Sequence, residues 1–434
     1  MSASMQTGQR QDPIELLGQQ EVQRLPWLVP VRHRRMAANP FAFFRGAAVV
    51  MAADLALQPH SGLMVQLCGD AHLLNYGFYG SPERQLLFDI NDFDETHPGP
   101  FEWDVIRLAT SFLLAARSLN LSEKQQEKVC RQAVKTYAEA MASLAAMPLL
   151  QMWVAQLPLA DLIDQRASGS LRDHLKRVVA AALNRDSRQA VRKLCEISGD
   201  AGLQFRHDPP LIWQFSQLPS QVLGGMDWEH RLEVIYADYL DSVRPELRHL
   251  LSRFRLHDAA LKAVGVGSVG TRCAIGLFLG EGPEDVLVLQ SKQAESSVLA
   301  PYINIPVPEH QGERVVQGQR LMQTASDAFL GWTTTPEGHH LYWRHFRDWK
   351  GSVDVAQLDN SGLKDYAKLC GWTLAKAHAR SGDRHSISAA IGDVKLFART
   401  MQEQALCHAS FAEQDHQSLL AAIESGRIES SDVF

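Results

Sequence analysis

The sequence predicts an α+β chain of two lobes, a mostly helical large lobe and a small antiparallel-sheet lobe. Three observations carry this. Apolar residues recur at helical spacing through residues 104–117 and again beyond Ser122. The segments LKAVGVGSVGTRCAIGLFLG and DVLVLQSK alternate like strands and are joined by Gly-Glu-Gly-Pro-Glu-Asp, a turn composition. Helical patterning then returns at residues 361–380 and runs, in polar form, from Ser386 onward. The expected division is a flexible tail at 1–29, a helical lobe at 30–254, a sheet lobe at 255–350 and C-terminal helices at 351–434 that complete the helical lobe.

Taken in order, the start MSASMQTGQRQD is polar and lacks the apolar core of a secretory signal, so a cytoplasmic location is expected. Residues 39–58 open on Asn39-Pro40 and set Phe44, Ala47, Ala48 and Met51 on one helix face, after the basic approach of Arg32, Arg34 and Arg35. MVQLCGDAHLLN, from Met64, reads as a short strand running into a polar loop. GSPERQLLFDINDFDE reads as turn, strand and acidic loop. Asp104 to Arg117 then forms a helix with Val105, Leu108, Ala109, Phe112, Leu113 and Ala116 inward. Ser122 with Gln125 predicts a capping box, followed by a seam of Cys130, Val134, Tyr137, Met141 and Leu144. Residues 148–227, with Pro209-Pro210, give no clear pattern, and a helix through Trp228, Leu232, Ile235 and Tyr239 follows. Beyond the strands come a helix at 310–323, strand-like text at 328–346 and the helix at 361–380.

The chain has 434 residues, 45% of them apolar and 21% charged, so it is long enough for two packed units and unlike a disordered segment. Lys and Arg number 43 against 49 Asp and Glu, a net charge of −6 that argues against a broad nucleic-acid footprint. Its longest apolar stretch, Ala47 to Leu57, is too short for a membrane span and is broken by Asp54. The six cysteines lack the C-x-x-C spacing of a zinc or redox site, and reduced thiols are expected.

Candidate chemistry concentrates in Gly69-Asp70-Ala71-His72-Leu73-Leu74-Asn75 and in Asp92-Phe93-Asp94-Glu95. An Asp on a loop, an Asn five residues on and a second Asp after the next strand supply what phosphoryl transfer needs: one carboxylate for the attacking hydroxyl, and two oxygen ligands for Mg on nucleotide phosphates. Taken singly, such residues cap turns. Together they resemble the H-G-D-x-H-x-x-N catalytic loop and I-D-F-D-D metal loop of the aminoglycoside phosphotransferase and protein kinase-like superfamily. Gly99-Pro100, Trp103-Asp104 and Arg107-Leu108-Ala109 resemble the segment that follows the metal loop there. Cys68 stands where that family usually has His. The resemblance implies Asp70 as a catalytic residue with His72 orienting its loop, Asn75 and Asp92 as metal ligands, and ATP and Mg as cofactors.

Gly265, Gly267 and Gly270 lie between two strand-like segments, where glycines let backbone N–H groups approach phosphates. Lys292 follows in the next strand and is the expected phosphate-binding lysine. Its carboxylate partner is expected to be Glu313 at the start of the 310–323 helix, with Glu295 as rival. Arg344, Arg347 and Lys350 either contact phosphates or form an exposed basic strand end. The glycine turn and lysine here follow the catalytic loop, and WTLAKAHAR from Trp372 resembles the helix that normally precedes that loop. The expectation is therefore a circularly permuted kinase-like fold. RMAANPFAFFRGAA, QLCGDAHLLNYG, FDINDFDETHPGPFEWD and LMQTASDAFLGW resemble a bacterial family of uncharacterised proteins, domain-of-unknown-function family 2252, over most of residues 30–385. Two other readings stay open: a nucleotide-binding regulator without transfer activity, and a metal-dependent phosphoesterase built on Asp89, Asp92 and Asp94. The acceptor and oligomeric state are not legible.

Overall fold

A computed structural model describes residues 10–158, 169–183, 185–198, 202–209, 211–218, 227–262, 269–282, 284–346 and 349–431. Its α+β composition follows the sequence pattern. Long helices Phe101–Ser118, Glu123–Ala146, Asn360–Ser381 and Val394–Glu424 pack together as the large lobe, with Phe112, Tyr137, Leu144, Tyr366 and Leu374 fully buried between them. The Ser122–Gln125 capping box forms, Gln125 Oε1 accepting from the Ser122 N–H at 2.9 Å.

The small lobe is a six-stranded antiparallel sheet. Its order is Gly331–Thr334, His340–His345, Val286–Gln293, Cys273–Leu279, Arg255–Lys262 and Ile212–Gln214. Helix Gln311–Met322 packs beside its first two strands and, at the same time, against Asn360–Ser381 of the large lobe. The opposite sheet face is covered by Trp228–Ser242 and Pro245–Leu251, through Tyr239, Leu251, Phe278, Leu289 and Trp343.

Three expectations need correction. Residues 13–29 do not form a flexible tail: Pro13–Glu21 is a helix capped by Asp12, and Ile14, Leu16 and Leu17 are buried against Phe43 and Leu419. Arg10 adds ion pairs to Asp54 at 2.8 Å and Asp415 at 2.7 Å. A helix of nine residues is too short to show a repeating face, which is why its polar text conceals it. The sheet lobe also begins well before residue 255. Helix Ser187–Leu194 and Phe205 pack on Ile275, Leu277 and Val288, and Ile212–Gln214 supplies an edge strand of three residues, too few to display alternation. Finally, the helix expected over 39–58 is two helices, Pro40–Gly46 and Ala48–Ala56, broken at Ala47, whose φ −114 and ψ 43 leave the helical region.

Candidate functional site

The Met64–Leu67 strand delivers the loop that carries Asp70, and the turn at Leu73–Asn75 ends it. The loop's entry is held from below. Asp104, 1% exposed on the Phe101–Ser118 helix, accepts the backbone N–H groups of Cys68 at 2.7 Å and Gly69 at 3.1 Å. His378 Nε2 lies 3.3 Å from the same carboxylate, and Tyr137 Oη bonds His378 Nδ1 at 2.9 Å. A buried Asp–His–Tyr relay thus anchors the loop backbone. Gly69 has φ +80, and a side chain there would strike the Glu95 carbonyl, so the loop and the acidic segment touch where only glycine fits.

Asp70 is oriented by Arg107, whose Nε donates to Oδ1 at 2.6 Å, leaving Oδ2 3.7 Å from His72 Nε2. Burial lowers the His72 pKa to about 4, although Asp70 opposes this, so the ring is neutral. Its Nδ1 accepts from Leu74 N at 3.2 Å, which puts the ring proton on Nε2. Asn75 Nδ2 donates to the Asp70 carbonyl at 2.8 Å, leaving the amide oxygen as its acceptor. The Asn75 carbonyl in turn accepts from Asn91 N at 2.8 Å, tying the Asp70 loop to the strand end that presents Asp92.

The small lobe closes over these loops. Lys292, 2% exposed, donates to Asp94 and lies 3.8 Å from Asp92. Tyr342 Oη reaches the other Asp94 oxygen at 2.5 Å. Burial works against charge on both sides of this pair. The Lys292 ammonium nevertheless holds Asp94 at about 2, while Asp92 and Asp94 raise the lysine above its ordinary value. Asp92 is pushed upward by burial and by Asp94, with Lys292 opposing. Arg314, on helix Gln311–Met322, donates to the carbonyls of Asp94 at 2.9 Å, Glu295 at 2.8 Å and Thr96. Ser297 Oγ donates to the Glu95 carbonyl at 2.7 Å, and Val298 N to its carboxylate at 2.8 Å. Burial lifts Glu95 to about 7, against the backbone N–H of Val298.

Asp70, His72, Asn75, Asp92, Asp94 and Glu95 therefore share one polar cleft of about 150 Å3 with Gln20, Arg24, Arg45, Thr271, Gln293 and Glu295. Some expected residues stand elsewhere. Glu313 gives its carboxylate to Gln317 of its own helix at 2.7 Å; the carboxylates at Lys292 are Asp94 and Asp92. The side chain that helix sends into the site is Arg314, one residue on and turned inward by the helical period. Glu295 lines the cleft and bonds Gln293 at 3.3 Å. Gly265 and Gly267 lie outside the described residues. Gly270, at φ +93, gives its carbonyl to Leu25 N at 2.7 Å, and a side chain there would press on Arg24, so the end of the glycine turn is seated on the N-terminal segment. Arg344 bonds Gln290 at 2.9 Å, is partly buried and feels the charges of Asp92 and Asp94, so it is not an exposed strand end; Arg347 lies outside the described residues. Asp104, Arg107 and Arg45 stood in the sequence as motif letters without roles, and Tyr342 and Arg314 carried no signal beyond residue type.

Oxygen ligands suit a hard cation, and Asp92, raised by burial and then by the like charge of Asp94, is a carboxylate a cation would relieve. Among the described residues no three His, Cys, Asp or Glu side chains are grouped so as to hold a metal ion.

The fold and cleft define an α+β protein with a carboxylate-rich site between a helical lobe and a sheet lobe. The chain belongs to the DUF2252 family, described as an uncharacterized protein conserved in bacteria, whose profile matches residues 24–422. No curated protein and no solved structure gives a significant match. Among the described residues no helix is long and apolar enough to cross a membrane.

Proposed function

We propose that the protein is an ATP- and Mg-dependent phosphotransferase with a circularly permuted kinase-like arrangement. The observation that carries the reading is the ion pairing of Lys292 with Asp94 and Asp92 across the cleft. Permutation requires that residues 260–350 face the loops at 69–95, and this pair joins them over 198 residues of sequence. A second junction supports it. The Asn360–Ser381 helix ends against the strand that enters the Asp70 loop, with Gln66 N donating to Ser381 Oγ at 3.1 Å over 315 residues. Helix and loop are thus contiguous in space although the chain is cut between them.

In this reading the acceptor hydroxyl attacks the terminal phosphoryl group of ATP. A new P–O bond forms, the bond to the β-phosphate oxygen breaks, and ADP leaves. Asp70 Oδ2 takes the acceptor proton, since Oδ1 is held by Arg107. Asn75 and Asp92 are the residues that would hold Mg, which when bound neutralises phosphate charge. Lys292, freed from Asp94 as phosphate enters, holds the phosphates. Partners are then a nucleotide and an unidentified small-molecule or protein acceptor.

One observation favours a second reading, a nucleotide-binding regulator without transfer: the ion pair with Arg107 already occupies one of the two Asp70 oxygens. Thermal stability with ATP and Mg, read beside ADP formation, separates the two. Binding that Asp92→Ala and Lys292→Ala abolish, with ADP formation that Asp70→Asn abolishes while binding survives, supports transfer. Binding without ADP formation under any acceptor supports the regulator. No stabilisation at millimolar ATP overturns both.

A further inference from the structure

Arg45 is a cation in the cleft wall that none of the proposed steps uses. It sits on the short Pro40–Gly46 helix, capped by Asn39 Oδ1, which accepts from Ala42 N at 2.8 Å. Two buried arginines fix the backbone on either side of it. Arg107 Nη2 donates to the Phe44 carbonyl at 3.0 Å, and Arg32 Nη2 to the Gly46 carbonyl at 2.6 Å. Because Arg107 also holds Asp70, one guanidinium sets the spacing between Asp70 and the turn that carries Arg45.

The Arg45 side chain lines the cleft with Asp70, His72 and Gln20. Among the described residues its Nε, out of contact with solvent, has no hydrogen-bond partner, and its Cζ lies 5.9 Å from the Phe41 ring. The neighbouring charges are engaged elsewhere: Asp70 with Arg107, Asp94 with Lys292, and Arg24 with the Val269 carbonyl at 2.6 Å. The partly buried guanidinium has the Asp70 carboxylate as a neighbouring charge, but that carboxylate is already bonded to Arg107, and a planar fork of donors matches a carboxylate or phosphate group.

We propose that Arg45 binds an anionic oxygen group of the acceptor, so that the acceptor is a hydroxyl compound carrying a carboxylate or phosphate. This rests on Asp70 being the residue that faces the acceptor hydroxyl. A polycationic alcohol would set an ammonium against Arg45 and is selected against.

The test uses the full chain without nucleotide, measuring calorimetric affinity and melting temperature with D-glycerate and glycerol 3-phosphate as anionic probes, glycerol as the neutral one and ethanolamine as the cationic one. The expected result is millimolar or tighter binding of an anionic probe only, weakened at least tenfold by Arg45→Gln and partly restored by Arg45→Lys. An unchanged melting temperature of unliganded Arg45→Gln shows that the variant is folded. If no anionic probe binds, if folded Arg45→Gln binds them like the wild type, or if glycerol and ethanolamine bind equally well, the inference is overturned. The outcome is separable from that of the phosphotransferase reading, because ADP formation is absent from this assay. Anion binding lost in Arg45→Gln stands even where ATP is never turned over, and ATP turnover insensitive to Arg45 removes the inference alone.

Discussion

Lys292 and Asp94 form an ion pair that joins the two lobes, the lysine buried in the sheet and the carboxylate on the acidic loop of the helical lobe. Neither is stable in its surroundings without the other. Among the described residues the carboxylates at Lys292 are those of the acidic loop, and Asp94 keeps its charge because the ammonium and the Tyr342 hydroxyl face its two oxygens. Apposition of the lobes is therefore written into the charges as well as into apolar packing.

Removing this lysine has a defined consequence. Lys292→Met lowers unfolding stability at pH 7 by about 3 kcal/mol, the low end for breaking a buried pair, since Asp94 is partly reached by solvent. Asp94 titrates near 2 in the folded protein against 3.8 ordinarily, so its contribution is present above about pH 4 and is lost as the pH falls towards 2. Denaturant titrations of both proteins from pH 7 to pH 2.5 should therefore converge at the acid end. A gap that stays constant with pH would show that the pair contributes nothing electrostatic.

Asp104 is expected to matter more for the Asp70 loop than any residue in that loop. Asp104→Ala leaves the N–H groups of Cys68 and Gly69 without an acceptor in a dry interior, along with His378, and costs about 4 kcal/mol. Asp104→Asn keeps one acceptor oxygen and costs about half as much. Hydrogen exchange reads the effect directly: the amides of residues 68 and 69 lose protection first in both variants, before the helical core. Unchanged protection at these amides would remove Asp104 as the anchor.

The parts of this arrangement that were legible in the sequence are those carried by local pattern. The Asp70 loop, the acidic loop and Lys292 each sit at the end of a short strand, and strand-then-polar-loop is readable from consecutive residues. Charges that meet only through folding were not readable. Trp372 to Arg380 showed a helical period, yet nothing local marks Lys376, His378 and Arg380 as inward-facing; each is buried because its partner, Asp89, Asp104 or the Trp153 carbonyl, arrives from far along the chain. Glu313 failed as the partner of Lys292 for the same reason, since one position of helix phase decided that Arg314 points inward.

Lys376 and Asp89 give the next expectation. Both are almost fully buried, with side chains 2% and 5% exposed, and the pair links the Asn360–Ser381 helix to the Leu86–Ile90 strand, which leads into the loop that carries Asp92. Lys376→Met leaves an uncompensated buried carboxylate and should destabilise by about 3–5 kcal/mol. The double change Lys376→Met with Asp89→Leu, which removes both charges, should recover most of that loss. Equilibrium unfolding of the four proteins in the cycle measures it. A double variant no better than the single one would mean that packing, not charge, sets the cost.

Lys350 gives the last expectation, since the charges that act on it include Lys292, Arg344 and Asp92. Burial depresses its pKa to about 7, aided by Arg344 and Lys292 and opposed by Asp327 and Asp92. The folded state therefore holds this proton less tightly than the unfolded chain, whose value is 10.5, and stability should rise with pH between about 7 and 10.5. Lys350→Met flattens that slope. A neutral amine at neutral pH is also a nucleophile, so an amine-specific acylating reagent at pH 7.5 should modify Lys350 ahead of the exposed lysines, as read by peptide mass spectrometry. Phosphate entering beside Lys292 and Arg344 would favour the ammonium form, so millimolar ATP with Mg should slow the labelling of Lys350 while leaving Lys124 and Lys395 unaffected. Equal labelling rates at all three lysines without nucleotide would show that Lys350 titrates like a surface residue.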